Sequence, residues 1–281
     1  MKYGFVFPGG EARAAVELAE QAEAAGWDGF FVPDALWWHD PWITLAAVAM
    51  RTERLRIGTM ITPVSRRRPW TLASQTATLD RLSNGRVILS VGLGATDSGF
   101  AEFGEATDRK ARAELLDEGL DIITGLWRGQ SFNYSGNHYT LREVKSFPPP
   151  PPPVQSPRIP IWVVGAWPRP KSMQRALRYD GLLPNKLNAD GKHGKLTPAD
   201  VRAMKAYIEN NRTEPTPFDI VVEGRTPGDH PKKAIAEASR WAKAGATWWL
   251  EADWSGADLD RLRARLRHGP PQLDGEPFAR E

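Results

Sequence analysis

The chain has 281 residues, 41% hydrophobic and 25% charged, a balance that supports a sizeable core inside a water-exposed surface. No uncharged apolar run reaches the ~18 residues of a membrane span, and Glu11 and Arg13 come too early for a secretory signal, so the expectation is a cytoplasmic protein with no membrane partner. The lack of cysteine removes disulfides, thiolate metal sites and cysteine nucleophiles, and a net charge of +3 with one dense basic run, Arg66-Arg67-Arg68, argues against nucleic acid as a partner.

Along the chain, short apolar runs alternate with amphipathic ones. Residues 2–7 (KYGFVF) read as a strand, and 11–27 place Ala15, Leu18, Ala19, Ala22 and Ala25 on one helical face ending at Gly26. Residues 28–34 are a second strand, followed by an aromatic loop and a helix over 41–52. A strand at 55–62 and a helix at 69–82, with proline in its first turn and Asn84-Gly85 after it, make the third unit. The fourth is a strand at 86–92 and a helix at 109–127.

The second half keeps this rhythm. Residues 132–141 read as a hairpin around Ser135-Gly136-Asn137, and 147–160, with six consecutive prolines from Pro148, as an extended surface connection. Strands follow at 161–165, 180–184, 219–224 and 247–253, with helices at 171–179, 197–210, 232–244 and 257–267. Eight strands alternating with helices predict parallel pairing, and the count favours a closed (β/α)8 TIM barrel over an open doubly wound sheet. The expected organisation is one barrel domain over 1–281 with an insertion at about 128–160, before the fifth strand.

In such a barrel, function gathers at the C-terminal strand ends. The five histidines are scattered, and no His/Asp/Glu set has metal-ligand spacing, so no metal is expected. The strand ends instead collect glycine, aromatic residues and a few polar groups, which suits a planar ring with a phosphate tail. Gly92-Leu93-Gly94 and Gly165-Ala166 would let backbone approach such a ligand, and the helix after the fifth strand would offer free amides to a phosphate.

Tryptophan is over-represented, 12 against 10 Phe and 5 Tyr. Trp37, Trp38, Trp42, Trp167 and Trp254 fall at strand ends, and Trp37, Trp38, Trp42 and Trp254 would form a rim for an apolar organic substrate. Glu251 in TWWLEADW stands at a strand end. Strand alternation points either Trp249, Glu251 and Asp253 or Trp248, Leu250 and Trp254 at the barrel axis. Arg66 to Arg68 read as a solvated face, with reach to an anionic tail as the alternative.

Three stretches, 19–70 (AEQAEAAGWDGFFVPDALWWHDPWITLAAVAMRTERLRIGTMITPVSRRRPW), 72–94 (LASQTATLDRLSNGRVILSVGLG) and 154–167 (VQSPRIPIWVVGAW), with the later DGLLP, together resemble the bacterial luciferase-like family of flavin-dependent oxidoreductases. The resemblance implies a (β/α)8 barrel that carries FMN or the deazaflavin F420 across its strand ends, and dimers or larger homo-oligomers. It implies that Asp34 is a pocket aspartate and that Met60-Ile61 is a non-proline cis peptide against the ring. Pro8, Thr59, Met60 and Thr62 would line the ring, Gly92 and Gly94 lie beneath it, and Gly165, Ala166 and Trp167 approach the phosphate.

Two departures from the family pattern stand out. Ala35 follows Asp34 where the F420-using sugar-phosphate and alcohol dehydrogenases have histidine, and Ala95 follows Gly94 where the sugar-phosphate enzymes have an acid. Both argue against that sugar-phosphate activity. His39 then becomes the first candidate for proton transfer, with a solvated loop histidine as the alternative, and Asp34 and Glu251 are the other catalytic candidates. The leading expectation is an FMN-using monooxygenase served by a separate flavin reductase. Its alternatives are an F420-dependent hydride-transfer enzyme, whose tail would meet Arg66, Arg169, Lys186 or Arg225, and a non-catalytic flavin-binding barrel.

Overall fold

The fold is seen in a computed structural model, which describes residues 1–146, 148–256 and 258–272. The first residue of the expected extended connection, Phe147, and the expected helix start at Ala257 lie outside the described residues.

Eight parallel strand positions close into a (β/α)8 barrel: β1 (Lys2–Val6), β2 (Gly29–Val32), β3 (Arg56–Thr59) with its continuation β4 (Thr62–Pro63), β5 (Val87–Gly92), β8 (Ile161–Trp167), β9 (Gly181–Lys186), β10 (Asp219–Gly224) and β11 (Trp248–Glu251). Closure comes from β1 against β11, with Phe5 opposite Glu251, and from β3 against β5, with Ile57 opposite Val87. The strand expected over 55–62 is split at Met60-Ile61, where the peptide bond is cis, as the family resemblance implies.

The helices between the strands are α1 (Ala12–Ala24), α2 (Pro41–Ala49), α3 (Pro69–Leu82), α4 (Arg109–Leu126), α5 (Pro170–Leu177), α6 (Pro198–Asn211), α7 (Pro231–Ala242) and α8 (Leu259–Arg267). Proline opens α2, α3, α5, α6 and α7, where its missing N–H costs no helical bond. Asp40, Asp108 and Asp258 cap α2, α4 and α8 through backbone amides, and Thr197 with Asp200 forms a reciprocal capping box on α6. Among the described residues no helix is long and apolar enough to cross a membrane.

Between α4 and β8 lies the hairpin of β6 (Tyr134–Ser135) and β7 (Thr140–Leu141), antiparallel with Tyr134 opposite Leu141. The buried Glu118 on α4 anchors it by accepting the backbone amides of Asn137, His138 and Tyr139. Asp80 on α3 does the same for the end of the proline stretch, accepting the amides of Val154 and Gln155. Buried carboxylates thus fasten both parts of the insertion to the outer helices.

Strand alternation splits the core into two layers. Phe5, Phe30, Ile57, Leu89, Val163, Leu182, Val222 and Trp249 face outward into the helix layer. Val6, Phe31, Ile88, Trp162, Leu183, Val221, Trp248 and Leu250 face the axis. Two indoles and a phenyl ring crowd the interior because small residues yield the space: a Cβ on Gly58 would stand 2.3 Å from the Ile88 carbonyl oxygen, and one on Gly181 2.4 Å from Trp162. The interior is therefore filled below, and a cavity opens above it.

Candidate active site

That cavity, about 440 Å³, lies at the C-terminal strand ends. Its floor is Met60, Ile61, Val164 and Leu183, directly above the filled interior. Gly92 faces the same floor, where a Cβ would stand 2.9 Å from Ile61 Cδ1 and 3.0 Å from Val164 Cγ2, so glycine is what keeps the floor flat. Its polar lining comes from Asn185 and Lys186 at the end of β9, Glu223 on β10, and Trp254 after β11.

Each polar group has a definite setting. Lys186 Nζ donates to Asp200 at 2.8 Å, and Asn185 Oδ1 stands 2.8 Å from His193 Nδ1. Glu223 follows Val221 on the axial face, and its Oε2 lies 3.4 Å from Trp254 Nε1. Neighbouring protein raises the pKa of the Glu223 carboxyl by desolvation, partly offset by the indole N–H, although the side chain itself reaches solvent. A lone carboxylate at a barrel strand end, two residues after an inward valine, was the sequence signal for this group; β10 is apolar on both faces, so the sequence left its inward side undecided.

The three expected catalytic residues fall elsewhere. Asp34 is buried and gripped by two arginines: Arg67 Nε and Nη2 donate to its two carboxylate oxygens at 2.8 Å each, and Arg66 Nη2 donates to its backbone carbonyl. This corrects two expectations. Asp34 is committed to an internal ion pair, and Arg66 and Arg67 are not a solvated face. Arg66 also lies over Phe100, which Arg112 covers as well while donating to the carbonyls of Leu93 and Gly94.

Glu251 points outward, not to the axis, because Trp248 and Leu250 take the inward positions. It accepts from Thr226 N and Oγ1, Trp249 Nε1 and Arg265 Nη2, so it ties β11 to the loop after β10 and to α8. His39 is exposed on the loop after β2, 3.7 Å from Glu11 and edge-on to Trp38, lining a small crevice with Phe7 and Thr44 and not the mouth cavity.

The expected cofactor contacts divide in the same way. Met60 lines the floor of the cavity and Gly92 lies against it. Thr59 and Thr62 are fully buried and hydrogen-bonded to each other at 2.9 Å, so they brace the wall beneath the cis peptide and do not line the ring position. Pro8 is half-buried after β1, outside the cavity lining. Gly94 packs under Phe100 and Pro63. Gly165 faces outward, where a Cβ would meet Leu182 Cδ1 at 2.2 Å and Met173 Sδ at 3.1 Å, so its small size lets α5 approach β8. Ala166 is buried with its amide held by Ser172 Oγ, and Trp167 leans edge-on against Tyr207 of α6.

Of the rim tryptophans, Trp254 reaches the cavity. Trp37, 84% exposed and in a left-handed conformation, packs against Phe103 from the loop after β5, with Trp38 exposed beside it. Trp42 is corrected: as an early residue of α2 it is buried in the helix layer.

A profile described as luciferase-like monooxygenase matches residues 3–276. The chain belongs to the luciferase-like monooxygenase family. Within curated proteins it is 37% identical over 166 residues to an F420-dependent glucose-6-phosphate dehydrogenase of Amycolatopsis mediterranei (strain U-32), covering 56% of this chain and 48% of that protein. The chain spans about half the length of the curated relatives it matches, 48% and 45%. Among solved structures, an F420-dependent secondary alcohol dehydrogenase in complex with an F420-acetone adduct superposes with a TM-score of 0.74 at 18% identity, over 97% of this chain and 99% of that one. A coenzyme F420 dependent tetrahydromethanopterin reductase from Methanopyrus kandleri does so with 0.73 at 18% identity, over 96% and 98%. These likenesses establish the luciferase-like fold.

Proposed function

We propose that this luciferase-like protein is an F420-dependent oxidoreductase that exchanges a hydride with a small organic substrate, in preference to the FMN monooxygenase expected first. Support comes from the names of two curated relatives and of two structural neighbours with TM-scores of 0.74 and 0.73, all four F420-dependent. The observation that carries the reading is the axial cavity itself, an apolar floor at the Met60-Ile61 cis peptide faced by one uncompensated carboxylate, Glu223.

The residues present fit the cofactor. A planar ring can rest on Met60, Ile61 and Val164 beside Gly92, and no side chain projects from the glycine to lift it. Of the four basic groups considered for the tail, Arg66 is taken by Asp34, Lys186 by Asp200, and Arg225 pairs with Asp253. Arg169, where β8 gives way to α5, has no ion pair among the described residues and is the group that would meet a tail phosphate. When bound, F420 supplies a two-electron hydride acceptor or donor.

The chain's own part is positioning and proton handling. Glu223, deprotonated, takes the hydroxyl proton of an alcohol as it becomes a carbonyl, and its protonated form returns that proton in the reverse direction. Trp254 donates its indole N–H to the carboxylate at the cavity edge, and the apolar floor offers the reacting carbon a surface without competing polar groups. Exposed Ile43 on α2, Met50 just after it, and Trp70 and Leu82 on the adjoining α3 would supply the apolar surface of a homodimer.

Fluorescence titration with F420 and with FMN tests the cofactor assignment. The expected result is F420 binding at least about tenfold tighter than FMN; tighter FMN binding overturns it and restores the monooxygenase reading.

A further inference from the structure

We propose that Glu223 makes this active site selective for uncharged substrates, so that the mouth rejects phosphorylated ones. The inference rests on the substrate entering the axial cavity, as the proposed function requires. It deepens that reading by naming the substrate class.

A phosphorylated substrate needs a free cation or a set of unengaged amides where its phosphate would lie. Lysine at position 186 is the cation that lines this cavity, and it is not free. Its ammonium is bound to Asp200, whose same oxygen, Oδ2, accepts from Thr197 N and Oγ1 as part of the α6 capping box. Turning Lys186 toward a ligand would break the ion pair at the helix start. Asn185, the neighbouring polar group, is oriented by His193 through its carbonyl oxygen and offers only one neutral amide NH2 group, not a cation.

Opposite these stands Glu223. Among the described residues no lysine, arginine or histidine lies within ion-pair distance of it, and its one polar partner is the neutral indole of Trp254. The upward displacement of its pKa agrees with a carboxylate that lacks a compensating cation. A phosphate dianion entering the cavity would therefore meet a like charge that no neighbouring cation neutralises. A hydroxyl or carbonyl group meets instead a hydrogen-bonding carboxyl above an apolar floor. The relatives' substrate, glucose 6-phosphate, is thus what this mouth is built to refuse.

The test uses the full chain, its Glu223→Gln and Glu223→Lys variants, and three probes followed by isothermal titration calorimetry with and without F420: glucose 6-phosphate, glucose and cyclohexanol. The wild type is expected to take up cyclohexanol and to give no saturable heat with glucose 6-phosphate. Glu223→Lys is expected to gain at least tenfold in glucose 6-phosphate affinity with no matching gain for glucose, and Glu223→Gln to fall between. Circular dichroism of each variant confirms that it is folded. Wild-type protein that binds glucose 6-phosphate as tightly as Glu223→Lys overturns the proposal. Failure of the cofactor reading shows separately: a protein that binds no F420 but shows the charge-dependent gain keeps the selectivity and loses the cofactor.

Discussion

The ammonium of Lys186 and the carboxylate of Asp200, 2.8 Å apart, join the end of β9 to the first turn of α6. Burial by itself would raise the Asp200 pKa. The Lys186 ammonium and the Thr197 hydroxyl and amide outweigh that effect and hold it below its ordinary value of 3.8. A depressed folded-state value stabilises the protein above the unfolded one, and this contribution disappears as pH falls through 3.8 toward the folded value. Asp200→Asn should remove it and cost about 1 kcal/mol for the weakened cap. Urea unfolding of wild type and variant between pH 3 and pH 7 should show the two curves converging at the acid end.

Asp34 should matter to stability far more than to chemistry. Replacing it with alanine leaves the buried guanidinium groups of Arg66 and Arg67 without their anion, at a cost of about 3–5 kcal/mol. Denaturant unfolding measures that loss. A fully stable Asp34→Ala protein with abolished activity would instead return Asp34 to the reacting centre.

Because desolvation raises Glu223, its proton is lost only above the ordinary carboxyl value of 4.5. As the base in alcohol oxidation it must be ionised, so kcat/KM should rise with pH through that elevated value and level off above it. Glu223→Gln should remove the acid limb and lower kcat/KM by roughly 10²–10⁴, with F420 affinity unchanged. A pH profile that is the same in wild type and variant would place the proton elsewhere.

Glu118 tests how the insertion is held. Its carboxylate serves three part-buried hairpin amides, and Glu118→Ala removes their shared acceptor, at about 0.5–1.5 kcal/mol for each hydrogen bond lost. Hydrogen exchange at residues 137–139 should speed up well beyond any change in the barrel strands. Equal acceleration throughout would mean that the hairpin and barrel unfold as one unit.

The barrel was legible because its signals are local: alternating apolar runs, proline at helix starts and Asn84-Gly85 after α3. The side each strand residue faces was not. In a barrel covered by helices both faces of a strand are apolar, so DIVVEG reads the same whether Glu223 or Gly224 faces the axis. Direction is settled by closure and by the interruption at Met60-Ile61, both of which bring together segments far apart in sequence. For that reason Glu251, read with its direction open, proves outward, while Glu223 stands at a strand end with no role read into it. The arginines at 66 and 67 misled similarly. Three adjacent charges suggest a solvated loop until that loop folds over the end of β2 and two of them meet Asp34, more than thirty positions earlier.

The distribution of indoles gives the protein a built-in optical label. Trp162 and Trp248 are sealed in the barrel interior, whereas Trp37 at 84%, Trp38 at 57% and Trp254 at 49% exposure surround its open end. Solvent relaxation shifts the emission of exposed indoles to longer wavelength and leaves them open to collisional quenchers, while enclosed ones emit further to the blue and resist them. Light from this one chain thus divides into a constant background from its centre and a responsive fraction from its rim, so occupancy at the strand ends can be followed without attaching a dye.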